Sequence, residues 1–309
     1  MKIPIITGPT ATGKSDFALE VSKHLKIEII NADAFQVYKF MDIGTAKPSA
    51  VELKKCKHHL VDIITPDIQY NVGEFFAHCE KLIPDIMSRG RLPVIVGGTG
   101  LYVESLVKGL CQVSGRDENI YKRLSFECES VGLEKMYDKL SAVDPDYAQK
   151  ISKNDKKRIL RALEAYFVLG IPFSQMHKKY HKKLQYDFDV YVFNNDRDLL
   201  YEKINNRVDK MIEIGWLDEV NRLLSLGYDE NSPGFKAIGY RELVGYLRYG
   251  GDFDMVVSDI KKKTRNFAKR QLTWFRHMED VIFLNFSKID RGTFLKQFVN
   301  AYISELSNN

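Results

Sequence analysis

The chain begins, after two residues, with the stretch Ile3-Pro4-Ile5-Ile6-Thr7-Gly8-Pro9-Thr10-Ala11-Thr12-Gly13-Lys14-Ser15. Its last eight residues fit the phosphate-binding pattern G-x-x-x-x-G-K-[ST] at every defined position. In this pattern glycines let backbone N–H groups close around oxyanions, Lys14 adds a positive charge, and the Ser15 hydroxyl can bind Mg²⁺. Because an apolar run precedes the loop and a helical pattern follows it, the sequence predicts a bound di- or triphosphate. The alternative is a glycine-rich turn without a ligand.

Strand and helix patterns alternate through the front third of the chain. Strand patterns lie at residues 3–7, 27–31, 59–63 and 92–96, and helical patterns lie at residues 14–25, 72–88 and 101–107. This alternation predicts an α/β fold like that of P-loop NTPases, with a parallel sheet flanked by helices. Ligands of such sheets bind where the carboxyl ends of the strands meet loops, so we expect Thr10, Asp33 and Thr99 to converge on one cleft.

The pattern changes from about Ser114. Residues 116–183 show only helical patterns, at 117–131, 133–143 and 155–169, and a strand pattern returns at 187–194. Helical patterns follow at 197–214, 216–225 and 254–276, and a short strand at 281–285 precedes a final helix. We therefore expect an α/β core made of residues 1–115 and 184–309, interrupted by an all-helical insertion domain at residues 116–183.

Composition is that of a globular protein. The chain has 309 residues, of which 44% are hydrophobic, and no apolar run approaches the length of about 18 residues that a membrane span needs. The first strand starts too early to leave room for a signal or transit peptide. The cysteines are scattered without metal-ligand spacing, at Cys56, Cys79, Cys111 and Cys128. We expect free thiols in a reducing cytoplasm and no membrane partner.

Positive charge is concentrated in two blocks. Residues 150–183 contain ten Lys and Arg against Asp155 and Glu164, and residues 261–276 contain seven Lys and Arg and no acid. Solvated helix faces usually alternate in sign, so these blocks favour a polyanion larger than a nucleotide. A merely basic surface is an equally acceptable interpretation of the blocks alone.

Polar residues follow the second strand in the loop Asn31-Ala32-Asp33-Ala34-Phe35-Gln36-Val37-Tyr38. From its position, Asp33 is a candidate metal ligand, a general base or an ordinary helix cap. The Gln36 amide could contact an adenine edge bidentately, or it could be a solvent-exposed loop amide.

A third loop follows the strand at 92–96, with the sequence Gly97-Gly98-Thr99-Gly100. Its glycines permit close approach of a ligand, and the Thr99 hydroxyl can donate to an oxyanion. Many phosphate-loop ATPases carry an acidic residue at this strand end. This chain has none there, which argues against an ATP-driven motor.

The second basic block interleaves cations with aromatic residues. On a helix, Phe267 would pack inward together with Gln271 and Trp274, while another set, Arg265, Lys269 and Arg276, would lie toward a different face. Core packing of Phe267 and Trp274 is favoured over base stacking.

Taken together, the motifs resemble those of the tRNA dimethylallyltransferase (tRNA isopentenyltransferase) family. The resemblance spreads over nearly the whole chain and is carried by the phosphate loop, Ala32-Asp33-x-x-Gln36-Val37-Tyr38, Gly44-Thr45-Ala46-Lys47-Pro48, His58-His59-Leu60-Val61-Asp62, Gly97-Gly98-Thr99-Gly100-Leu101-Tyr102, Arg158-Ile159-Leu160-Arg161-Ala162-Leu163-Glu164, Ala237-Ile238-Gly239-Tyr240-Arg241-Glu242 and the segment from Thr264 to Arg276. Two departures are visible. The family usually has Ser-Ala-Asp-Ser where this chain has Asn31-Ala32-Asp33-Ala34, and Leu169-Gly170-Ile171-Pro172 lacks the usual Thr-Gly-Lys step.

The resemblance implies transfer of a dimethylallyl group from dimethylallyl diphosphate to the N6 amine of adenosine-37 in tRNA, with release of diphosphate. It implies catalytic roles for Asp33, Thr99 and Lys14, diphosphate binding by the phosphate loop, and a Mg²⁺ ion on Ser15. It implies that the adenosine leaves its stack to reach the cleft. It implies that the tRNA anticodon stem-loop contacts Asp33, Ala34, Phe35, Gln36, Thr99, Lys157, Arg158, Arg161, Arg265 and Lys269.

Three other functions fit parts of the sequence. A small-molecule kinase would use the same loop on ATP but needs no long basic tail. An adenylate isopentenyltransferase would use the same donor on a free nucleotide, and the two basic blocks favour a larger RNA acceptor. A non-enzymatic RNA-binding protein would not need a complete phosphate loop beside Asp33. We also expect a monomer, since a tRNA stem would fill the cleft.

Overall fold

The computed structural model describes residues 2–111 and 117–307. Its strands are β1 (Lys2–Thr7), β2 (Ile27–Asn31), β3 (His58–His59), β4 (Leu92–Val96), β5 (Leu110–Cys111), β6 (His181–Lys182), β7 (Asp187–Asn194) and β8 (Val281–Asn285). Its helices are α1 (Lys14–Val21), α2 (Ala50–Lys55), α3 (Val72–Ser88), α4 (Gly100–Lys108), α5 (Glu118–Val131), α6 (Leu133–Val143), α7 (Pro145–Ala148), α8 (Lys156–Leu169), α9 (Phe173–Lys179), α10 (Arg197–Glu213), α11 (Trp216–Ser225), α12 (Tyr240–Tyr249), α13 (Phe253–Arg276) and α14 (Arg291–Ser307), with a 3₁₀ turn at Pro233–Lys236.

The described residues divide into two compact units. One, which we call the sheet unit, comprises those within Met1–Val107 and Leu184–Asn309, and the other, the helical unit, comprises those within Lys108–Lys183. The predicted boundary between residues 115 and 116, like Ser114, lies outside the described residues.

The sheet unit is built on one parallel sheet with the strand order β3-β2-β4-β1-β7-β8. In the middle of the sheet, Ile5 of β1 lies opposite Ile95 of β4 on one side and Val190 of β7 on the other. Strands β2 and β4 are buried along their whole length, as parallel strands covered by helices are. This confirms the predicted α/β fold. Because all six strands run the same way, their carboxyl ends share one edge, where the phosphate loop begins.

An aromatic cluster holds α1 and α14 against the sheet. The Phe17 ring lies 5.0 Å from that of Phe193 on β7, and 5.4 and 5.5 Å from those of Phe294 and Phe298 on α14. All four rings are buried. Since Phe17 stands two residues after Ser15, this cluster fixes the helix whose first turn closes the phosphate loop.

Two predicted elements in the sheet unit are shorter than expected. The strand predicted at residues 59–63 ends at His59, because Leu60 and Asp62 adopt positive φ angles of 62° and 56°, which a strand cannot accommodate. The helix predicted at residues 14–25 ends at Val21, and the backbone continues in turns. The short helix α12 was not predicted at all.

The helical unit has its own apolar core, in which Leu124, Met136, Leu140, Ile159 and Leu163 are fully buried. The buried Asp144 carboxylate connects two short helices: it accepts hydrogen bonds from the backbone N–H groups of Tyr147 and Ser174 and from the Ser174 hydroxyl. The expectation of an all-helical segment is wrong in one detail, since β6 pairs with β5 in a two-residue antiparallel ladder.

The thiols of Cys56, Cys79 and Cys128 are free and buried. Burial raises the pKa of Cys56 to about 11. None of the helices in the described part of the chain combines the length and apolarity that a membrane span needs.

We predict that Phe17→Ala destabilises the sheet unit by about 3–5 kcal/mol, because a fully buried aromatic ring with three ring neighbours leaves a cavity. Urea unfolding followed by tryptophan fluorescence measures the change. Tyr249→Ala is the control, since Tyr249 is 85% exposed in the same unit, and its effect should stay within about 0.5 kcal/mol. Equal effects of the two substitutions would contradict the assigned role of Phe17.

Candidate active site

The phosphate loop leaves β1 at the carboxyl edge of the sheet. Gly8 has a φ of 128°, and a Cβ added there would lie 2.2 Å from the backbone oxygen of Phe193. Only glycine therefore fits where the loop passes this close to β7. The Thr12 hydroxyl donates to the backbone oxygen of Pro9 at 2.9 Å, which closes the loop on itself.

Lys14 folds back over the loop. Its Nζ donates to the backbone oxygens of Gly8 at 3.0 Å and Pro9 at 2.6 Å. Burial and, to a smaller extent, the nearby Arg207 lower the pKa of Lys14 to about 7, although the Asp33 carboxylate acts in the opposite direction. A lysine held so far below its ordinary pKa is a group that gains charge when an anion binds beside it.

Gln271 of α13 bridges two loops at the sheet edge. Its Oε1 accepts from the Thr10 backbone N–H at 3.0 Å, and its Nε2 donates to the backbone oxygen of Gly98 at 2.8 Å. The side chain is buried, as the sequence predicts. One amide thus holds the phosphate loop and the glycine-rich loop after β4 at a fixed separation.

Asp33 and Thr99 come together at the ends of β2 and β4. The Thr99 hydroxyl oxygen accepts from the Ala34 backbone N–H at 3.0 Å, so its own proton stays free to donate to a ligand. The Asp33 carboxylate accepts from the Phe35 backbone N–H at 2.9 Å. No helix begins at Asp33, so the helix-cap interpretation is wrong.

Gln36 faces the same cleft. Its Nε2 donates to the backbone oxygens of Thr45 at 3.2 Å and Ala46 at 3.0 Å. The side chain is half-buried, so the solvent-exposed interpretation is wrong. Asn31, which replaces a serine of the family pattern, donates to the backbone oxygen of Leu60 at 3.1 Å and supports the loop from below.

Arg207 of α10 is a cleft residue that the sequence did not single out. It makes no hydrogen bond or ion pair with another described residue, and burial lowers its pKa against the opposing charges of Asp33 and Asp16. The sequence contains a pattern that could have identified Arg207. Leu200, Ile204 and Val208 are buried at helical spacing, and Arg207 lies on the same face of the helix. A half-buried guanidinium without a partner among the described residues is suited to binding an anion.

These side chains surround one cleft of about 340 Å³ within the sheet unit. Its lining includes Thr10, Lys14, Ser15, Asp33, Phe35, Gln36, Gly44, Thr45, Gly97, Gly98, Arg207, Trp216, Phe267, Arg270 and Gln271. It carries phosphate-binding groups, a carboxylate and aromatic surface together. The expected convergence of Thr10 and Asp33 is found in this lining, and Thr99 contacts the same loop through Ala34.

The remaining sequence-predicted residues lie elsewhere. Lys157, Arg158 and Arg161 are on α8 of the helical unit, where Arg161 pairs with the fully buried Glu164 at 2.9 Å. On α13, Arg265 donates to Asn205 at 2.6 Å, and Lys269 is exposed without an ion pair among the described residues.

The aromatic residues of α13 differ from expectation. Phe267 is half-buried at the cleft, with the Arg270 guanidinium 5.8 Å from its ring centre. The core prediction for Trp274 is wrong, since 37% of it is exposed. Phe275, one residue along, fills the core position instead.

The positive charge of the second basic block, residues 261–276, is partly neutralised by acidic residues in the folded protein. Lys261 pairs with Asp209, and Lys263 pairs with Glu242 and Asp259. These acids lie on α10, on α12 and in the earlier part of α13. All three lie outside residues 261–276, so a count within that block does not include them.

The cleft offers few ligands for a metal ion. Within residues 2–111 and 117–307, no group of three or more His, Cys, Asp or Glu side chains could hold one. The Ser15 hydroxyl is exposed at the loop, and Asp33 lines the same cleft. This set fits Mg²⁺ held mainly by phosphate oxygens and water, which is how proteins usually bind it.

Two family models match parts of this chain, and curated proteins of one family resemble it along most of its length. A family model described as IPP transferase matches residues 36–278, and one described as isopentenyl transferase matches residues 1–65. The tRNA dimethylallyltransferase of Thermotoga petrophila is 44% identical over 294 residues, which cover 94% of this chain and 95% of that protein. The enzyme of the same name from Acetivibrio thermocellus is 41% identical over 290 residues, covering 93% and 92%.

Solved structures show the same similarity. The full-length tRNA isopentenylpyrophosphate transferase from Bacillus halodurans superposes with a TM-score of 0.71 at 35% identity, covering 99% of this chain and 97% of that one. A eukaryotic dimethylallyltransferase acting on tRNA gives a TM-score of 0.84 at 28% identity, covering 98% and 80%. Since the first family model spans residues 36–278 and the relatives cover nearly the whole chain, the chain belongs to the tRNA dimethylallyltransferase (IPP transferase) family.

Proposed function

We propose that this protein transfers a dimethylallyl group from dimethylallyl diphosphate to the N6 amine of adenosine-37 in tRNA and releases diphosphate. The observation that carries the proposal is that Lys14, Arg207, Asp33 and Gln36 all line one cleft. Two cations in the cleft match the negative charge of a diphosphate, and a carboxylate and an amide can form hydrogen bonds with a purine.

On the donor side, the phosphate loop binds the diphosphate as a leaving group. The allylic C–O bond breaks, its electron pair passes to the diphosphate, and the growing charge is stabilised by the loop N–H groups, Lys14 and Arg207. The free hydroxyl proton of Thr99 donates to the same anion. Gly8, Pro9, Thr10, Ala11, Thr12 and Gly13 supply the backbone that surrounds it.

On the acceptor side, the N6 amine attacks the allylic carbon. This amine is a poor nucleophile because its lone pair is delocalised into the ring. As the N–C bond forms, Asp33 accepts the N6 proton. Ala34, Phe35 and Gln36 hold the extruded base, which must leave its stack to reach the cleft.

Ser15 would hold Mg²⁺ together with diphosphate oxygens and water. The ion would supply positive charge that stabilises the departing diphosphate.

We further propose that the helical unit contacts the tRNA. Lys157, Arg158 and Arg161 of that unit, and Arg265 and Lys269 of α13, would bind phosphates of the anticodon stem-loop. Arg161 is partly committed to Glu164, so Lys157 is the freer cation on α8. A monomeric state stays a prediction.

The decisive experiment supplies donor and acceptor in combination. The protein is incubated with labelled dimethylallyl diphosphate or labelled ATP, together with unmodified tRNA or AMP. We expect labelled product only from dimethylallyl diphosphate and tRNA. Label from ATP would indicate a kinase, label on AMP would indicate an adenylate isopentenyltransferase, and tRNA binding without any product would indicate a non-enzymatic RNA-binding protein.

We predict that Asp33→Asn lowers kcat by about 10²–10⁴-fold while tRNA affinity changes only a few-fold, since the change removes a proton acceptor. Asparagine keeps an oxygen for the Phe35 N–H, so the loop geometry is retained. Single-turnover transfer and equilibrium tRNA binding measure the two effects. Asp67→Asn is the control, because Asp67 is exposed outside the cleft. A variant that retains most of the wild-type rate excludes Asp33 as the base.

We also predict that diphosphate binding is linked to proton uptake by Lys14. With a pKa of about 7, Lys14 is mostly neutral at pH 8, and a bound anion raises this pKa and draws in a proton. Below pH 7 the residue is already charged and the linkage disappears. Calorimetry of inorganic diphosphate binding in buffers of different ionisation enthalpy measures the uptake.

The matched variant is Lys14→Arg, whose guanidinium stays charged throughout this range. At pH 8 the wild-type protein should take up more protons than the variant, and its affinity should fall more steeply as the pH rises. Equal proton uptake by the two proteins would disprove the linkage.

A further inference from the structure

Glu219 is a buried carboxylate outside the set of residues that face the phosphate loop. It lies in the first turn of α11 and is 6% exposed. Its Oε2 accepts from the backbone N–H groups of Asp42 and Ile43, both at 2.7 Å. Its Oε1 accepts from the Gly44 N–H at 3.2 Å and from the Tyr240 hydroxyl at 2.7 Å. No Lys or Arg of the described chain lies within ion-pair distance, so these donors alone stabilise the charge.

The segment held by Glu219 forms one wall of the cleft. Gly44, Thr45 and Ala46 all line it. Trp216, from the same turn of α11 as Glu219, packs directly on Gly44, where an added Cβ would lie 2.1 Å from the indole Nε1. We call residues 42–46 the anchored loop, because its backbone is fixed by hydrogen bonds on one side and by a buried indole on the other.

The anchored loop fixes the orientation of the Gln36 amide. Two consecutive backbone oxygens, of Thr45 and Ala46, both accept from Gln36 Nε2. Rotating the amide by half a turn would set its oxygen against these two oxygens and lose both hydrogen bonds. Nε2 is therefore engaged by two acceptors, and Gln36 Oε1, which accepts no hydrogen bond from a described residue, is the atom left for a ligand.

We propose that Glu219 is a positioning residue for substrate selection: through the anchored loop it locks the Gln36 amide so that only its oxygen is offered to the base. This proposal rests on the proposed function. An oxygen acceptor complements an exocyclic amine, as in adenine. It repels the keto oxygen that a guanine or hypoxanthine carries at the same ring position. The bidentate contact considered from the sequence is excluded in this arrangement.

The chemistry of the amine is compatible with two acceptors. Adenine N6 carries two protons, of which Asp33 accepts one during the reaction. The other donates to Gln36 Oε1, which keeps the amine in place while the new N–C bond forms.

The test compares two anticodon stem-loop RNAs that differ only at position 37, one with adenosine and one with inosine. Their dissociation constants are measured in the presence of inorganic diphosphate, without donor, so that no transfer occurs. The wild-type protein should prefer adenosine by about 10- to 100-fold, as expected for a good polar contact to a base edge.

Three variants test whether Gln36 and Glu219 act on the base preference through the same contact. Gln36→Ala and Glu219→Gln should each lower this preference to within about 3-fold of unity, and the double variant should be no less selective than Gln36→Ala, because both act through one contact. The affinity for inorganic diphosphate should stay within a few-fold of wild type in each variant. Glu213→Gln, an exposed glutamate on α10, is the matched control and should leave the preference unchanged.

Full selectivity in Gln36→Ala would overturn the proposal, as would additive losses in the double variant. If Glu219→Gln does not fold, Tyr240→Phe takes its place, since it removes one of the four donors to the same carboxylate and should reduce the preference partly. Failure of the proposed function would appear differently, as a wild-type protein that does not transfer dimethylallyl groups to the adenosine RNA at all.

Discussion

The amide of Gln271 is the contact on which the site depends. It joins the Thr10 N–H of the phosphate loop to the Gly98 oxygen of the loop after β4, and it reaches both from α13. The edge of the sheet and α13 are thereby joined through a single buried side chain. The bridge fixes the phosphate loop relative to the loop that carries Thr99, which is one residue after Gly98.

The charges of the side chains in the cleft are not balanced unless an anion binds there. Burial lowers the pKa of both Lys14 and Arg207, Arg207 adds to the lowering at Lys14, and the Asp33 carboxylate opposes the shift at both. Holding these two cations in a desolvated cleft costs free energy that a bound diphosphate would recover. The same ligand would therefore both organise the site and undergo the chemistry. This is how binding energy contributes to catalysis in preorganised sites.

The sequence predicts the parts of the site that local rules determine. The phosphate loop, the parallel sheet and the buried Gln271 follow from a fixed motif, from alternating patterns and from helical spacing. Prediction from the sequence fails where packing between distant parts of the chain determines which side chains are buried. Trp274 is exposed while Phe275 is buried, because the exact rotation of α13 depends on what lies against it. The acids that pair with Lys261 and Lys263 lie mostly on other helices, which counting within one segment cannot reveal.

Arg207 and Glu219 illustrate the same limit for function. Each occurs in an ordinary amphipathic helix, and its type alone says nothing about a ligand or a loop. Arg207 is identifiable only because its helical face is otherwise apolar. Glu219 becomes meaningful when three N–H groups from a segment more than 170 residues earlier converge on it.

Trp216 restricts the substitutions that this protein can accept during evolution. Its indole touches two glycines that are far apart in the chain: an added Cβ would lie 2.1 Å from the ring at Gly44 and 2.1 Å from it at Gly239. A methyl group at Gly44 requires a smaller side chain at 216, and a smaller side chain at 216 alone leaves a void. At Gly239 the φ of 98° favours glycine whatever side chain stands at 216. Substitutions at positions 44 and 216 must therefore be correlated, so that the side-chain volume added at one is removed at the other, while position 239 stays glycine.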